Sequence, residues 1–293
     1  MTESSTDSDG ASSSAPRTSA TLAKEARPFV KWAGGKAKLA SALVAKMPPT
    51  YRNYHEPFLG GGALFFALQP TRALLSDINE ELVITYQAVR DNLDELIEEL
   101  SYHRYDRDYF YEVRSWDRLP DYQAMPPAKR AARFIFLNKT CFNGLYRVNA
   151  RGHYNVPFGD YAAPRILDTE NLTRCHRALQ GTEITLSQYL SVEDRAQPGD
   201  LVYFDPPYAP LSTTSSFTGY TAGGFTHTDQ RNLRDLCIRL DNKGVHFILS
   251  NSSAPAILEL YQNFSIERIA VARAINATAG GRGKVDEVVV RNF

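Results

Sequence analysis

Asp205-Pro206-Pro207-Tyr208 joins an acid, two rigid residues and an aromatic ring in one tetrapeptide. It follows Leu201-Val202-Tyr203-Phe204, a short apolar run that reads as a buried strand. In open α/β sheets, ligands bind where the parallel strands end. The Asp205 carboxylate can accept a hydrogen bond from an amino group, and so can the Pro206 carbonyl, locked between prolines. Tyr208 can stack on a planar heterocycle. Together these residues make a socket for a flat ring carrying an exocyclic NH2. The competing reading is a polar turn, since Pro and Asp favour turns.

A second segment points the same way. Tyr54-His55-Glu56-Pro57-Phe58-Leu59-Gly60-Gly61-Gly62 runs from a strand into three glycines, and Ala63 to Leu68 reads as the start of a helix. Glycine lets backbone approach a ligand closely, which nominates Gly60 and Gly62 for cofactor binding. Leu74-Leu75-Ser76-Asp77 is then an apolar strand ending in an acid. In nucleotide-binding α/β folds such an acid bonds ribose hydroxyls. An ordinary strand–turn–helix with a capping Asp is the alternative for each segment alone. The three features in one chain favour a nucleotide-type site.

The elements that must position these groups alternate strand and helix at both ends of the chain. Lys36 to Met47 has helical spacing and stops at Pro48-Pro49. Asn79 can cap a long helix through Leu100, and Asp108–Trp116, Ala128–Lys139 and Glu170–Leu179 read as further helices. Gly152 to Pro157 suits a hairpin or loop. Glu183–Leu186 and Val245–Leu249 read as strands, and a capped helix is expected from about His227 to Leu240. This order predicts an α/β fold, a mostly parallel Rossmann-like sheet with an inserted, mainly helical domain. The expected division is a disordered tail over 1–25, a catalytic part over 26–79, a target-recognition insert over 80–167 and a second catalytic part over 168–293. The tail is rich in Ser, Thr, Asp and Ala and has almost no large apolar residues. Residues 211–224, rich in Ser, Thr and Gly, are a candidate lid.

The 293 residues suffice for one large α/β domain and a smaller one. No apolar run is long enough to span a membrane, and the N-terminus lacks a signal-peptide pattern, so a cytoplasmic protein is expected. Cys141, Cys175 and Cys237 are scattered without metal-ligand spacing, so no metal is expected and the thiols read as packing residues. The 33 basic and 33 acidic residues balance, which argues mildly against nucleic acid as a partner. Their distribution softens this. No acid lies between Asp121 and Asp160, whereas Lys129, Arg130, Arg133, Lys139, Arg147 and Arg151 do, interleaved with aromatic residues. Phe134 and Phe136 of that set read as core. A second acid-free stretch runs from Arg268 to Lys284.

From Pro28 to Phe293 the chain resembles the Dam-type DNA adenine-N6 methyltransferases of the D12 class. The resemblance rests on Phe29-Val30-Lys31-Trp32-Ala33-Gly34-Gly35-Lys36, on the glycine loop, on Ser76-Asp77-Ile78-Asn79 and on Leu137 to Asn149. It continues over Gly152 to Gly159 and Asp205 to Ser212 and ends near Lys284-Val285-Asp286-Glu287. It implies S-adenosylmethionine as methyl donor and an adenine flipped out of double-stranded DNA as acceptor, with Asp205, Pro206, Pro207 and Tyr208 as the catalytic set. It assigns Trp32, Lys36, Asp77 and Asp205 to the cofactor. It assigns Lys31, Leu145, Arg147 and Pro157 to the reading of GATC, with Phe142 as a wedge beside Asn143, and Asn149 and Asn155 to phosphates. Lys139 and Arg151 are expected mainly to add positive field. Asp160 departs from the pattern, standing where family members carry a basic residue near flanking DNA. Methyl transfer to cytosine N4, RNA or protein glutamine, and a silent DNA-binding module, are the competing functions. No obligate protein partner is implied.

Overall fold

The computed structural model describes residues 26–210, 224–271 and 285–293. The expected tail, all but Gly224 of the expected lid, and residues 272–284 lie outside them.

Five strands run parallel, β1 (Tyr54–Glu56), β2 (Ala73–Asp77), β3 (Glu183–Leu186), β4 (Leu201–Phe204) and β5 (His246–Ser252). With β6 (Ser265–Val271) and β7 (Val285–Arg291) they form a mostly parallel sheet in the order β3-β2-β1-β4-β5-β7-β6. Strand β7 is antiparallel to both neighbours. Because β1 pairs with both β2 and β4, the order reverses between β1 and β4. The glycine loop leaves β1 and the tetrapeptide leaves β4, so both open onto this switch point, where open α/β sheets take ligands. All four residues of β4 are buried, as its unbroken apolar run requires of a strand covered on both faces.

The helices are α1 (Ala40–Val44), α2 (Ala63–Leu68), α3 (Glu80–Asp91), α4 (Leu93–Ser101), α5 (Arg107–Arg114), α6 (Pro127–Thr140), α7 (Thr169–Leu179), α8 (Val192–Arg195), α9 (His227–Asn242) and α10 (Pro255–Leu260). Asn79 caps α3 through its side-chain oxygen, which accepts from Leu82 N at 3.0 Å. Thr226 and Asp229 form a capping box at the start of α9. Two helices differ from expectation. The helix expected from Asn79 through Leu100 is broken at Asn92, whose φ of −129° and ψ of 42° are not helical. The helix expected over 36–47 is confined to α1, flanked by tighter turns in which Leu39 N bonds the Lys36 carbonyl and Lys46 N bonds the Leu43 carbonyl.

One apolar core joins α3, α6 and α7 to the sheet through residues such as Tyr86, Val89, Ile135, Leu75 and Ile184. A second, with Phe204, Phe247, Leu236 and Val290, joins α9 to β4, β5 and β7. A third, smaller cluster gathers Phe110, Val113, Phe136, Leu137, Tyr154 and Val156. Helix α6 belongs to two of these cores, so its register ties the sheet to the 141–158 segment. No helix among the described residues is long and apolar enough to cross a membrane.

Candidate active site

The chain leaves β4 directly into Asp205. Its Oδ1 lies 2.8 Å from Lys36 Nζ, and Lys36 is only 6% exposed. Lys36 also donates to the Gly34 carbonyl at 2.5 Å and lies 4.5 Å from the centre of the Tyr208 ring, over one face. The Tyr208 hydroxyl donates to Glu287 Oε2 at 2.7 Å. The loop backbone is clamped as well. Gln230 Nε2 donates to the Pro207 carbonyl, Ser252 Oγ donates to the Ala209 carbonyl, and Ala209 N donates to Asn251 Oδ1. Acid, ammonium and ring are thus held by groups from α9, β5 and β7, a preorganised arrangement of charge.

The glycine loop faces this cluster. Gly60 N donates to Asp77 Oδ2 at 3.0 Å, and Asn79 N donates to Asp77 Oδ1 at 2.9 Å. Gly60 has a φ of +47°, and a Cβ there would lie 2.7 Å from the Trp32 ring. Only glycine meets both demands, so Gly60 is what lets Trp32 lie on the loop. Gly62, with a φ of +64°, is likewise closed to a Cβ by the Tyr86 hydroxyl. Trp32 stacks on Tyr146 at 5.8 Å. Trp32, Lys36, Gly60, Gly62, Asp77 and Asp205 therefore share one end of the sheet.

The acids here are difficult to ionise. Burial raises the Asp205 carboxyl above its ordinary value, Lys36 opposes the rise, and Glu287 adds to it. Burial also raises Asp77, against hydrogen bonds from the backbone of Gly60, Asn79 and Ile78. Glu56, at the end of β1, is pushed up to about 8 by burial, against a hydrogen bond from the Tyr54 hydroxyl, and the Asp205 charge adds to the rise. Between the ordinary carboxylate value and that raised value the folded chain holds a proton that the unfolded chain has released, so stability falls as pH rises through this window. Glu56→Gln removes the titration. Its melting temperature should gain on the parent's steadily from about pH 5 to about pH 8 and by a constant margin above. A margin independent of pH in thermal melts would contradict the assignment.

All but Lys31 of the residues expected to meet DNA lie on the 141–158 segment. Bridges Cys141–Phe158 and Val148–Tyr154 close the 141–158 segment into a hairpin, as anticipated for 152–157. Phe142 is 51% exposed, and its N–H donates to the Pro157 carbonyl. Asn143 has a φ of +56°. Leu145 is half-buried, and its carbonyl accepts from the Tyr154 hydroxyl. Arg147 is exposed, with Nε donating to Asn155 Oδ1 at 2.7 Å. The Asn149 side-chain oxygen holds the turn by accepting from Arg151 N and His153 N. Lys31 joins this unit through Asn138, a residue to which the sequence pattern assigns no role. Buried Asn138 accepts from Lys31 N and donates to the carbonyls of Lys31 and Gly144. The fold thereby couples the segment carrying Trp32 to the turn carrying Phe142.

Part of the expected basic window is not a surface. Arg130 and Arg133 are buried and paired with Glu81 and Asp117. Lys139 is half-buried, and its pKa is lowered by burial and by nearby Lys31. Helical spacing puts these three side chains on α6, a helix packed on both sides, so charge count alone misplaces them. Arg147 and Arg151 remain exposed, and Phe134 and Phe136 are core as expected. The three cysteines are buried and free.

Fold and site together define a Rossmann-like methyltransferase. Residues 32–275 match the family model of the D12 class N6 adenine-specific DNA methyltransferases, and the chain belongs to this family, whose members methylate adenine in DNA. It is 44% identical to the type II methyltransferase M1.LlaDCHI of Lactococcus lactis subsp. cremoris, over 91% of this chain and 95% of that relative. It is 39% identical to the type II methyltransferase M.MjaIII of Methanocaldococcus jannaschii, over 92% and 100%. It is 34% identical to the DNA adenine methylase of Escherichia coli K12, over 91% and 95%.

Proposed function

We propose that this enzyme transfers a methyl group from S-adenosylmethionine to adenine N6 in double-stranded GATC, with the target base flipped out of the helix. The observation that carries the reading is the Lys36–Asp205–Tyr208 cluster at the end of β4, next to β1, from which the glycine loop leaves. The cradle fits the cofactor. Gly60 and Gly62 give the tight loop that seats Trp32 and turns backbone toward the site, Asp77 offers carboxylate oxygens to ribose hydroxyls, Trp32 offers its ring to the adenosine, and the buried Lys36 ammonium suits a carboxylate. When bound, S-adenosylmethionine supplies a methyl group on a positively charged sulfur.

The adenine amino group is a weak nucleophile because its lone pair is delocalised into the ring. Asp205 and the Pro206 carbonyl accept its two hydrogens, localise the lone pair on nitrogen and stabilise the positive charge that develops there. Once the carbon–sulfur bond has been exchanged for the carbon–nitrogen bond, one of the two protons passes to solvent, leaving a neutral methylated amine. Pro207 stiffens the turn, and Tyr208 stacks on the base. Because N6 lies inside a duplex, the base must leave the stack, and exposed Phe142 fills the gap, with Asn143 beside it. Lys31, Leu145, Arg147 and Pro157 read the site, and Asn149 and Asn155 face phosphates. Residues 80–167 are the reading unit, inserted between the two catalytic parts. Duplex DNA is the macromolecular partner, no metal takes part, and the enzyme works in the cytoplasm.

Calorimetry and labelled-methyl transfer test this. S-adenosylmethionine should bind the free protein, and the label should enter a duplex carrying GATC and not an RNA of the same sequence. No heat of binding would leave a silent DNA-binding module, and label in RNA would move the enzyme to another substrate class.

A further inference from the structure

Glu287 has no part in the chemistry above, yet its carboxylate accepts the Tyr208 hydroxyl at 2.7 Å. Strand β7 explains how it gets there. Parallel strands end at the site, whereas an antiparallel strand starts there, so β7 brings its first residues to the same edge. Glu287 pairs with Ser252, the last residue of β5. The Ser252 hydroxyl in turn holds the Ala209 carbonyl just after the tetrapeptide. The backbone around Tyr208 is therefore fixed by β5 and α9, and the far end of its ring by β7. Lys36 lies over one face of the ring at 4.5 Å, so a stacking base would take the opposite face. A tyrosine ring has two side-chain torsions, and a hydrogen bond from the phenol to a carboxylate is a strong restraint on both.

We propose that Glu287 is a positioning residue for the target base, fixing through the Tyr208 hydroxyl the plane against which the flipped adenine stacks. The inference rests on the functional reading above and adds a residue to it. A misplaced platform penalises the productive geometry of the base, while Gly60 and Asp77 of the cofactor cradle, bonded to each other, stay in place. The role belongs to the acceptor oxygen. Glutamine keeps such an oxygen and loses the charge, which separates positioning from any effect of the Glu287 charge on Asp205.

The test is a double-substitution cycle on the full-length enzyme, using a duplex with one GATC and a second duplex carrying 2-aminopurine at the target position. Glu287→Ala should lower kcat/KM for DNA by about tenfold or more, the scale of a small misplacement of reacting groups, with KM for S-adenosylmethionine within about threefold of the parent. It should also change the 2-aminopurine emission of the complex. Glu287→Gln should stay within about threefold of the parent. In a Tyr208→Phe background, which lacks the hydroxyl, Glu287→Ala should cost less than about twofold, because two residues acting through one contact are not additive. Equal losses in both backgrounds, or a Glu287→Gln enzyme as slow as Glu287→Ala, would overturn the assignment while leaving the functional reading intact. A parent enzyme that methylates no duplex adenine would remove the functional reading and this role with it.

Discussion

Replacing Asp205 by alanine should lower methyl transfer to adenine by at least about a hundredfold, the scale on which single electrostatic groups act at reacting centres. Two effects add. The acceptor that holds one amino hydrogen is lost, so the nitrogen lone pair is no longer directed at the methyl group. The positive charge that develops on nitrogen also loses its nearest carboxylate. Asp205 is already difficult to ionise because it is buried, and Lys36 at 2.8 Å is what favours its charged form. The substitution therefore also leaves the 6%-exposed Lys36 ammonium without its counter-charge, which lowers stability as broken buried pairs do. Asp205→Asn separates these effects by keeping shape and an acceptor oxygen. It too should be slow, since the charge is gone, while melting closer to the parent. DNA binding, proposed above to rest on the 141–158 hairpin, should survive in part in both. Single-turnover rates near the parent's in either variant would remove the tetrapeptide from the reacting centre.

Arg147→Ala should collapse the preference for GATC over sites with one altered guanine–cytosine pair. Asn155 accepts from Arg147 Nε at 2.7 Å and, through its carbonyl, from Nη2 at 3.5 Å, so the exposed guanidinium gives up the longer contact to present its terminal nitrogens as a pair to guanine O6 and N7. Losing such a bidentate contact costs roughly 1–3 kcal/mol of discrimination, about fivefold to 150-fold in rate ratio. Arg151, exposed at the hairpin turn, is the control. Its loss should slow all duplexes alike and reduce the salt dependence by about one phosphate contact. Lys139, half-buried beside Lys31, is unsuited to that role. The measurement is kcat/KM over a panel of single-substitution duplexes at fixed salt. Equal slowing of every duplex by Arg147→Ala would make it a phosphate contact or a structural residue.

The features legible in the chain were those written in local chemistry. Apolar runs ending in Asp77 and Asp205 marked two strand ends, and the fold sets both acids at one switch point. Asn79 announced one helix start and a capped helix was expected from about His227, and the capping bonds are there. Contacts made across long stretches of chain were not legible. Arg130 and Arg133 look like a DNA-facing charge until Glu81 and Asp117 meet them in the core. Asn138 and Glu287 sit in unremarkable helix and strand contexts, and their meaning lies in partners 107 and 79 residues away. The break at Asn92 is a change of backbone angle between two good helical stretches, which spacing alone passes over.

The central claim is most directly tested by sequencing modified bases in DNA exposed to the purified protein and S-adenosylmethionine. The account predicts N6-methyladenine on both strands of GATC sites and unmodified adenines elsewhere. Methyl groups on cytosine N4, or on adenines in a sequence unrelated to GATC, would contradict it.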